Sequence, residues 1–334
     1  MYLIYIALLA SLTNFLLLHC LIRFGDKVGI LDNPVARSMH DVATPGTGGI
    51  AIFVSFTLSV FSYSYLISNE WDFVINIWAA AAMMFLLGLV DDYLESNAKS
   101  KFVVQLFVSI AVVWLASIFS SLGLYEKIVL VLILVWFVNI FNFMDGVDGF
   151  AASNAQFYVV SLILIFVSEK SDFEKWWLGY LFLFLTGFLF YNLPKAKLFL
   201  GNGGSYFLGY LLILSFAYSH IEGMVKITTL LIISCSFVAD SSVTLFIRTL
   251  KMERIWEAHR NHAYQKYARI RNSHSYPLYS IAGYNYLWLL PLSLLNEAEV
   301  FGSSILVSLA YLPMIGFICF VSFYLSEKKH YREN

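Results

Sequence analysis

The chain has 334 residues, of which 60% are hydrophobic, 18% aromatic and only 13% charged. Soluble domains carry about 25% charged residues, so a water-soluble globular protein is excluded and an integral membrane protein is expected. The net charge of -1 is spread unevenly, because residues 248 to 271 hold seven basic side chains against the two acids Glu253 and Glu257. Such a local surplus suits phosphates or anionic headgroups.

Apolar stretches fall at roughly 3 to 22, 48 to 68, 74 to 90, 103 to 120, 128 to 143, 151 to 168, 176 to 191, 205 to 221, 227 to 247, 277 to 296 and 303 to 325. Most approach the roughly 20 residues that cross a bilayer as helix. The pattern therefore predicts an all-α polytopic protein of about eleven transmembrane helices, with 128 to 143 and 176 to 191 the shortest. The first stretch lacks a basic start and a small-residue cleavage site, so it is read as a retained span. With the N-terminus outside, seventeen Lys and Arg fall in inside segments and four outside. Cytoplasmic loops are enriched in these residues, and an odd number of spans then leaves the C-terminus cytoplasmic. No internal repeat or linker divides residues 1 to 334, so one membrane domain is expected. Cys20, Cys235 and Cys319 stand singly in or at the end of apolar runs, where neither a disulfide nor a metal spacing is visible.

Polar clusters interrupt these spans, all on the expected cytoplasmic face. The first inside loop, GILDNPVARSMHDVATPGTGGI, contains two prolines and four glycines. It reads as a shaped turn offering Arg37 and His40 to phosphates, or as an ordinary connection. Asp91 and Asp92 end the third span, where a frayed helix end lets both reach a cation, or where they are simply solvated. The strongest signal is NIFNFMDGVDGFAAS. Asn139, Asn142 and Asp145 recur at i, i+3 and i+6, near one helical face, while Gly146 and Gly149 allow a sharp turn around Asp148. Four oxygen-bearing side chains in an apolar wall are expensive without a ligand or ion.

Further along, Gly201, Asn202, Gly203, Gly204 and Ser205 open the eighth span, where exposed backbone N–H groups suit an anion, although small residues also serve helix packing. Asp240 lies within the ninth span, a depth at which an ionisable group marks function by default or pairs with Arg248. In the basic segment His259 and His262 share one face if helical, with Arg260 beside them to grip a diphosphate.

In this order the segments resemble the polyprenyl-phosphate N-acetylhexosamine-1-phosphate transferase family, over most of the chain. The resemblance rests on the DNP…R…H…TP…GG loop at Asp32 to Gly49, the pair Asp91-Asp92, the NxxDGxDG run from Asn142, the glycine-serine element at Gly201 to Ser205 and the HxxH element at His259 to His262. It implies eleven spans in a bacterial inner membrane and a phosphotransferase whose partners are undecaprenyl phosphate and a UDP-N-acetylhexosamine, with no nucleic acid, as a monomer or homodimer. UMP would be the leaving group. The resemblance further implies catalytic roles for Asp91, Asp92, Asp145 and Asp148. Substrate contacts would come from Arg37, His40, Asn139, Gly203, Ser205, Asp240, His259, Arg260 and His262. The cofactor is expected to be Mg2+, or Mn2+ in its place, near Asn142, Asn202 and Asp92. HRNHAYQ at His259 to Gln265 is similar to the branch that begins O-antigen and capsule repeats.

One position departs from the family pattern. The family has aspartate, implicated as a magnesium ligand, where this chain has Asn202. An amide oxygen binds a hard cation without the charge that favours carboxylates, so either affinity is weaker, another carboxylate compensates, or the chain is catalytically impaired. An ion- or proton-coupled transporter is the competing class, but transporter sites lie near the midplane, and here only Asp240 does.

Overall fold

The computed structural model describes residues 2–28, 31–32, 43–68, 71, 74–94, 97–166, 172–253 and 261–325. The protein is almost wholly helical, as a membrane interior requires, because helices satisfy their own backbone polar groups. Helices α1 (Tyr2–Val28), α2 (Gly48–Tyr63), α3 (Ala79–Leu94), α4 (Ala98–Leu115) and α5 (Leu124–Phe143) are followed by α6 (Phe150–Phe166), α7 (Asp172–Asn192) and α8 (Gly201–Ile221). Next come α9 (Ile227–Ile233), α10 (Cys235–Leu250), α11 (Ala263–Arg271), α12 (Ser275–Tyr284), α13 (Leu290–Glu297) and α14 (Ser303–Cys319). The strands β1 (Leu31–Asp32) and β2 (Thr44–Pro45) pair antiparallel, Leu31 opposite Pro45 and Asp32 opposite Thr44.

A helix lies over each of the eleven apolar stretches. Among the described residues six helices are long and apolar enough to cross a bilayer, and α9 with α10 make a seventh if their 75° bend is one broken span. The protein is therefore a multi-pass helical membrane protein. Helix α5 is longer than the apolar run 128 to 143 because Glu126 folds back to accept from the Gly123 amide at 2.7 Å, starting the helix several residues earlier. Asn97 starts α4 in a similar way, its Oδ1 accepting from Ser100 N at 2.9 Å.

Helix α8 is the centre of the bundle. It is buried from Gly203 to Phe216, as expected of a helix apolar on every side, and packs against α2, α3, α5 and α6. Its closest neighbour is α3. A Cβ on Gly88 would stand 2.4 Å from the Asn202 carbonyl oxygen and 2.6 Å from Gly203 Cα, so the crossing depends on a missing side chain. Ahead of α8 the backbone is pinned by Phe199 N donating to Pro45 O (2.8 Å), Gly48 N to Phe199 O (2.9 Å) and Gly49 N to Leu200 O (2.9 Å). Gly201 then takes φ +75° with the Gly46 carbonyl packed against it, a conformation that suits glycine.

Gly88→Val should force α3 and α8 apart and destabilise the protein by about 1–3 kcal/mol. Thermal unfolding in detergent checks this, and an unchanged midpoint would contradict so close a crossing.

Candidate active site at the α3, α5 and α8 junction

The C-terminal ends of α3 and α5 and the N-terminal ends of α4 and α8 converge, and their polar residues bond to one another. Asp92 accepts from Asn202 N at 3.0 Å through Oδ1 and from Gly203 N at 3.1 Å through Oδ2. The glycine-rich start of α8 thus does bind an anion, but the anion is the chain's own carboxylate. A charge at a helix N-terminus contributes about 0.3–1 kcal/mol, rising toward about 2 when partly buried. That contribution holds α3 and α8 in register. With both oxygens of Asp92 and the Gly203 amide committed to each other, the anion cradle expected at Gly201 to Ser205 is filled from within.

Asp91 is buried and turns to the side chains instead of the backbone. Its Oδ2 receives Asn202 Nδ2 at 3.0 Å, Tyr206 OH at 3.3 Å and the Lys101 ammonium at 2.7 Å. Neither Lys101 nor Tyr206 stood out in the sequence, and their spacing gave a signal only in retrospect: Lys101 opens the span after the aspartate pair, and Tyr206 lies one turn beyond Asn202. Three donors on one oxygen make Asp91 an anchor for α4 and α8, an orienting arrangement rather than one for abstracting a proton.

Asn202 links both halves of the site. Its Oδ1 accepts from Asn142 Nδ2 at 2.7 Å, and Asn142 also donates to Ser205 Oγ at 3.1 Å. An aspartate at this position would face the Asp91 carboxylate where the amide now donates to it. The amide therefore suits this junction as the chain builds it. Asn139, one turn from Asn142, is drawn to α4, donating to Gln105 Oε1 at 2.7 Å.

Helix α5 ends at Phe143, so Asp145 sits beyond the helix rather than continuing the i, i+3, i+6 face; its amide closes a tight turn onto Asn142 O at 3.2 Å. Among the described residues no hydrogen-bond donor or cation meets its carboxylate. Burial, with the negative charges of Asp92, Asp148 and Asp32 added, pushes that carboxyl well above the usual range. Asp148, in contrast, is fully engaged: Oδ1 meets His274 Nδ1 at 2.9 Å and Oδ2 accepts from Ala196 N at 3.0 Å.

Asp240 is wholly buried and acts as a helix cap. Its oxygens accept from Ala263 N (2.8 Å), Tyr264 N (3.0 Å) and Thr244 Oγ1 (3.1 Å), and His262 Nδ1 lies 3.5 Å away. The partner of Asp240 is the start of α11 and not Arg248, which pairs with Glu253 at 2.9 Å. Arg37, His40, His259 and Arg260 lie outside the described residues. Asn192, Tyr264 and His274, missed in the sequence, all bond to the turn between α5 and α6.

A multi-pass helical protein with carboxylates and amides gathered where four helix ends meet is the class that the fold and site define. Residues 73–220 match the model of glycosyl transferase family 4. The chain is 30% identical over 292 residues, 81% of its length and 79% of the relative's, to a probable undecaprenyl-phosphate N-acetylglucosaminyl 1-phosphate transferase of Bacillus subtilis. It is 33% identical to an undecaprenyl-phosphate alpha-N-acetylglucosaminyl 1-phosphate transferase of Thermotoga maritima, over 60% of each chain. A decaprenyl-phosphate N-acetylglucosaminephosphotransferase of Mycobacterium tuberculosis is 28% identical over 56% of this chain and 53% of its own. The chain belongs to glycosyl transferase family 4.

Asn202→Asp should set two carboxylates against each other and lower stability by about 1–3 kcal/mol. Unfolding midpoints of the two proteins test this, and equal stability would contradict the assigned Asn202 contacts.

Proposed function

We propose that the protein transfers an N-acetylhexosamine 1-phosphate from a UDP-sugar to undecaprenyl phosphate, forming undecaprenyl-diphosphate-sugar and UMP. The observation that carries this reading is the junction itself. Acid and amide side chains from α3, α5, α8 and the turn after α5 meet at helix ends in a membrane protein, where a lipid phosphate and a water-soluble nucleotide have access to the same place. The names of the relatives support a polyprenyl phosphate acceptor and N-acetylglucosamine as the sugar. The segment HRNHAYQ supports a place at the start of O-antigen or capsule synthesis. Basic residues favour an N-terminus outside, eleven spans and a site on the cytoplasmic face of the inner membrane.

The reaction breaks the phosphoanhydride of the UDP-sugar and forms a new one between the lipid phosphate and the sugar-bearing phosphorus, with UMP leaving, so the protein chiefly aligns the groups and offsets crowded negative charge. A phosphate monoester with second pKa of about 6 is already mostly dianionic at neutral pH, which reduces the need for a base and fits the anchoring contacts of Asp91. The residues present fit a hard divalent cation. Asp145 has no described counter-charge and feels the negative charges of Asp92, Asp148 and Asp32; its amide bonds to the Asn142 carbonyl, and Asn142 in turn bonds to Asn202. Mg2+ commonly takes one or two carboxylates plus substrate phosphates, and needs no all-protein cage. Among the described residues no group of three His, Cys, Asp or Glu forms such a cage. Asp145 with Asn142 and Asn202 would hold the ion, Asp92 serving instead to fix α8. Bound there, Mg2+ would neutralise charge on the donor diphosphate. Lys101, 2.7 Å from Asp91, adds a positive charge on the other side of the junction.

Purified protein supplied with undecaprenyl phosphate, Mg2+ and UDP-N-acetylglucosamine should release UMP only when the lipid is present. Asp145→Asn should reduce the rate by roughly 100-fold or more, in the range of losing a major electrostatic contact in a transition state. No lipid-dependent UMP from any UDP-N-acetylhexosamine would refute the reading.

A further inference from the structure

The turn between α5 and α6, residues 144 to 149, carries Asp145, and besides its own backbone bonds and its contacts to Asn192 and Ala196 it is held by residues in and just after α11. Tyr264, in the first turn of α11, is completely buried; its hydroxyl donates to Phe143 O at 2.9 Å and accepts from Gly146 N at 3.1 Å, bridging the end of α5 to the turn. Its ring stacks on Phe150 at 4.4 Å and 12°, so the same side chain also touches the start of α6. At the other end of α11, Asn272 adopts the left-handed conformation (φ 49°) that terminates the helix. Two residues later His274 meets Asp148 at 2.9 Å. The same Nδ1 lies 3.3 Å from the backbone nitrogen of Asp148, so one ring atom meets that residue at both its side chain and its main chain. The turn is thus gripped at Gly146 and at Asp148 by residues flanking one nine-residue helix.

The helix has an anchor of its own. Asp240 on α10 caps α11 through the amides of Ala263 and Tyr264, which fixes the residue whose hydroxyl holds the turn. The Asp240 contacts and the Tyr264 contacts lie one peptide apart. At Gly146 an added Cβ would come within 2.6 Å of Gln265 Nε2 and 2.8 Å of Tyr264 OH, so side chains of α11 lie directly against the turn.

We propose that α11 is a clasp that sets the position of Asp145, with Tyr264 and His274 as positioning residues for the donor substrate and Asp240 as the anchor of the clasp. This rests on the transferase reading for the identity of the substrate, but the clasp itself is independent of it. Asp148 on this account orients the turn through His274 and Ala196 and makes no contact of its own with the nucleotide. A polar residue deep in the ninth span acts on the site from a distance, through one helix.

Two measurements test the clasp. Hydrogen exchange of the amides in 144 to 149 needs no substrate. Tyr264→Phe keeps the ring stacked on Phe150 and removes both hydroxyl bonds, and His274→Phe keeps a ring and removes the nitrogen that meets Asp148. Each should accelerate exchange there by at least roughly threefold to tenfold, the worth of one ordinary hydrogen bond, with the larger effect in Tyr264→Phe, which loses two. His274→Asn places an N–H near the position of Nδ1 and should return exchange toward wild type. In the UMP assay the same two phenylalanine variants should raise KM for the UDP-sugar by a similar factor and leave KM for undecaprenyl phosphate unchanged. Combining Asp240→Asn with Tyr264→Phe should give less than the product of the single effects, because both act through one helix. Variants that lower thermal stability yet leave exchange in the turn unchanged would overturn the clasp. So would equal increases in both KM values, or a failure of His274→Asn to rescue. If the wild-type protein releases no UMP while the exchange results hold, the transferase reading falls and the clasp stands.

Discussion

The contact on which the site depends is the docking of the α8 N-terminus onto the end of α3. Two backbone amides of α8 donate to Asp92, and the crossing is close because Gly88 has no side chain to keep Asn202 and Gly203 away. Charge and shape act together here: the helix dipole attracts the carboxylate, and the missing Cβ lets it arrive. Once α8 is fixed, Asn202 falls between Asp91 and Asn142, and α4 and α5 are drawn in through Lys101 and Ser205. Polar groups so far inside an apolar bundle are tolerable because nearly every one is paired with another.

Asp145 stands apart from this paired network. The other acids of the junction are neutralised by an ammonium, by amides or by hydroxyl donors, while Asp145 meets none of these among the described residues and feels the negative charges of Asp92, Asp148 and Asp32. The chain places this residue with care, through a turn tied to Tyr264, His274 and Asn192, and then gives it no partner among the described residues. A carboxylate so positioned is what the proposed cation-assisted phosphoryl transfer would need. The remaining acids are better understood as supports. Asp92 and Asp240 both cap helices, one at α8 and the other at α11, and Asp148 ties three segments together.

Much of this was legible in the sequence. The apolar stretches located the helices because composition alone decides what can lie in a bilayer, and a helix covers each of the eleven. The motif at Asn139 to Gly149 and the aspartate pair marked the junction because polar side chains in apolar runs need a reason. What the sequence could not disclose were pairings over long separations. Asn202 to Asp91 spans more than a hundred residues, and His274 to Asp148 more still. Lys101 counted as one of many loop cations, and Tyr264 as an aromatic residue in a basic segment. Asp145 was placed on a helical face by its spacing, yet Gly146 and the tight turn onto Asn142 end the helix before it. Asp240 was open between a function and a structural pair, and its capping of α11 becomes visible only once the two segments are folded together. The glycine-rich start of α8 suits an anion, and in the structure the Asp92 carboxylate meets two of its amides, a pairing that the sequence does not disclose because a carboxylate from another helix and a phosphate place the same demand on those amides.

The most direct measurement is the affinity of UDP-N-acetylglucosamine for the wild-type protein and for Asp145→Asn, each with and without Mg2+. The expected result is a nucleotide-sugar affinity that rises with Mg2+ in the wild type and loses that dependence in the variant. Equal Mg2+ dependence in both proteins would contradict the assignment of Asp145 as the carboxylate that meets the cation.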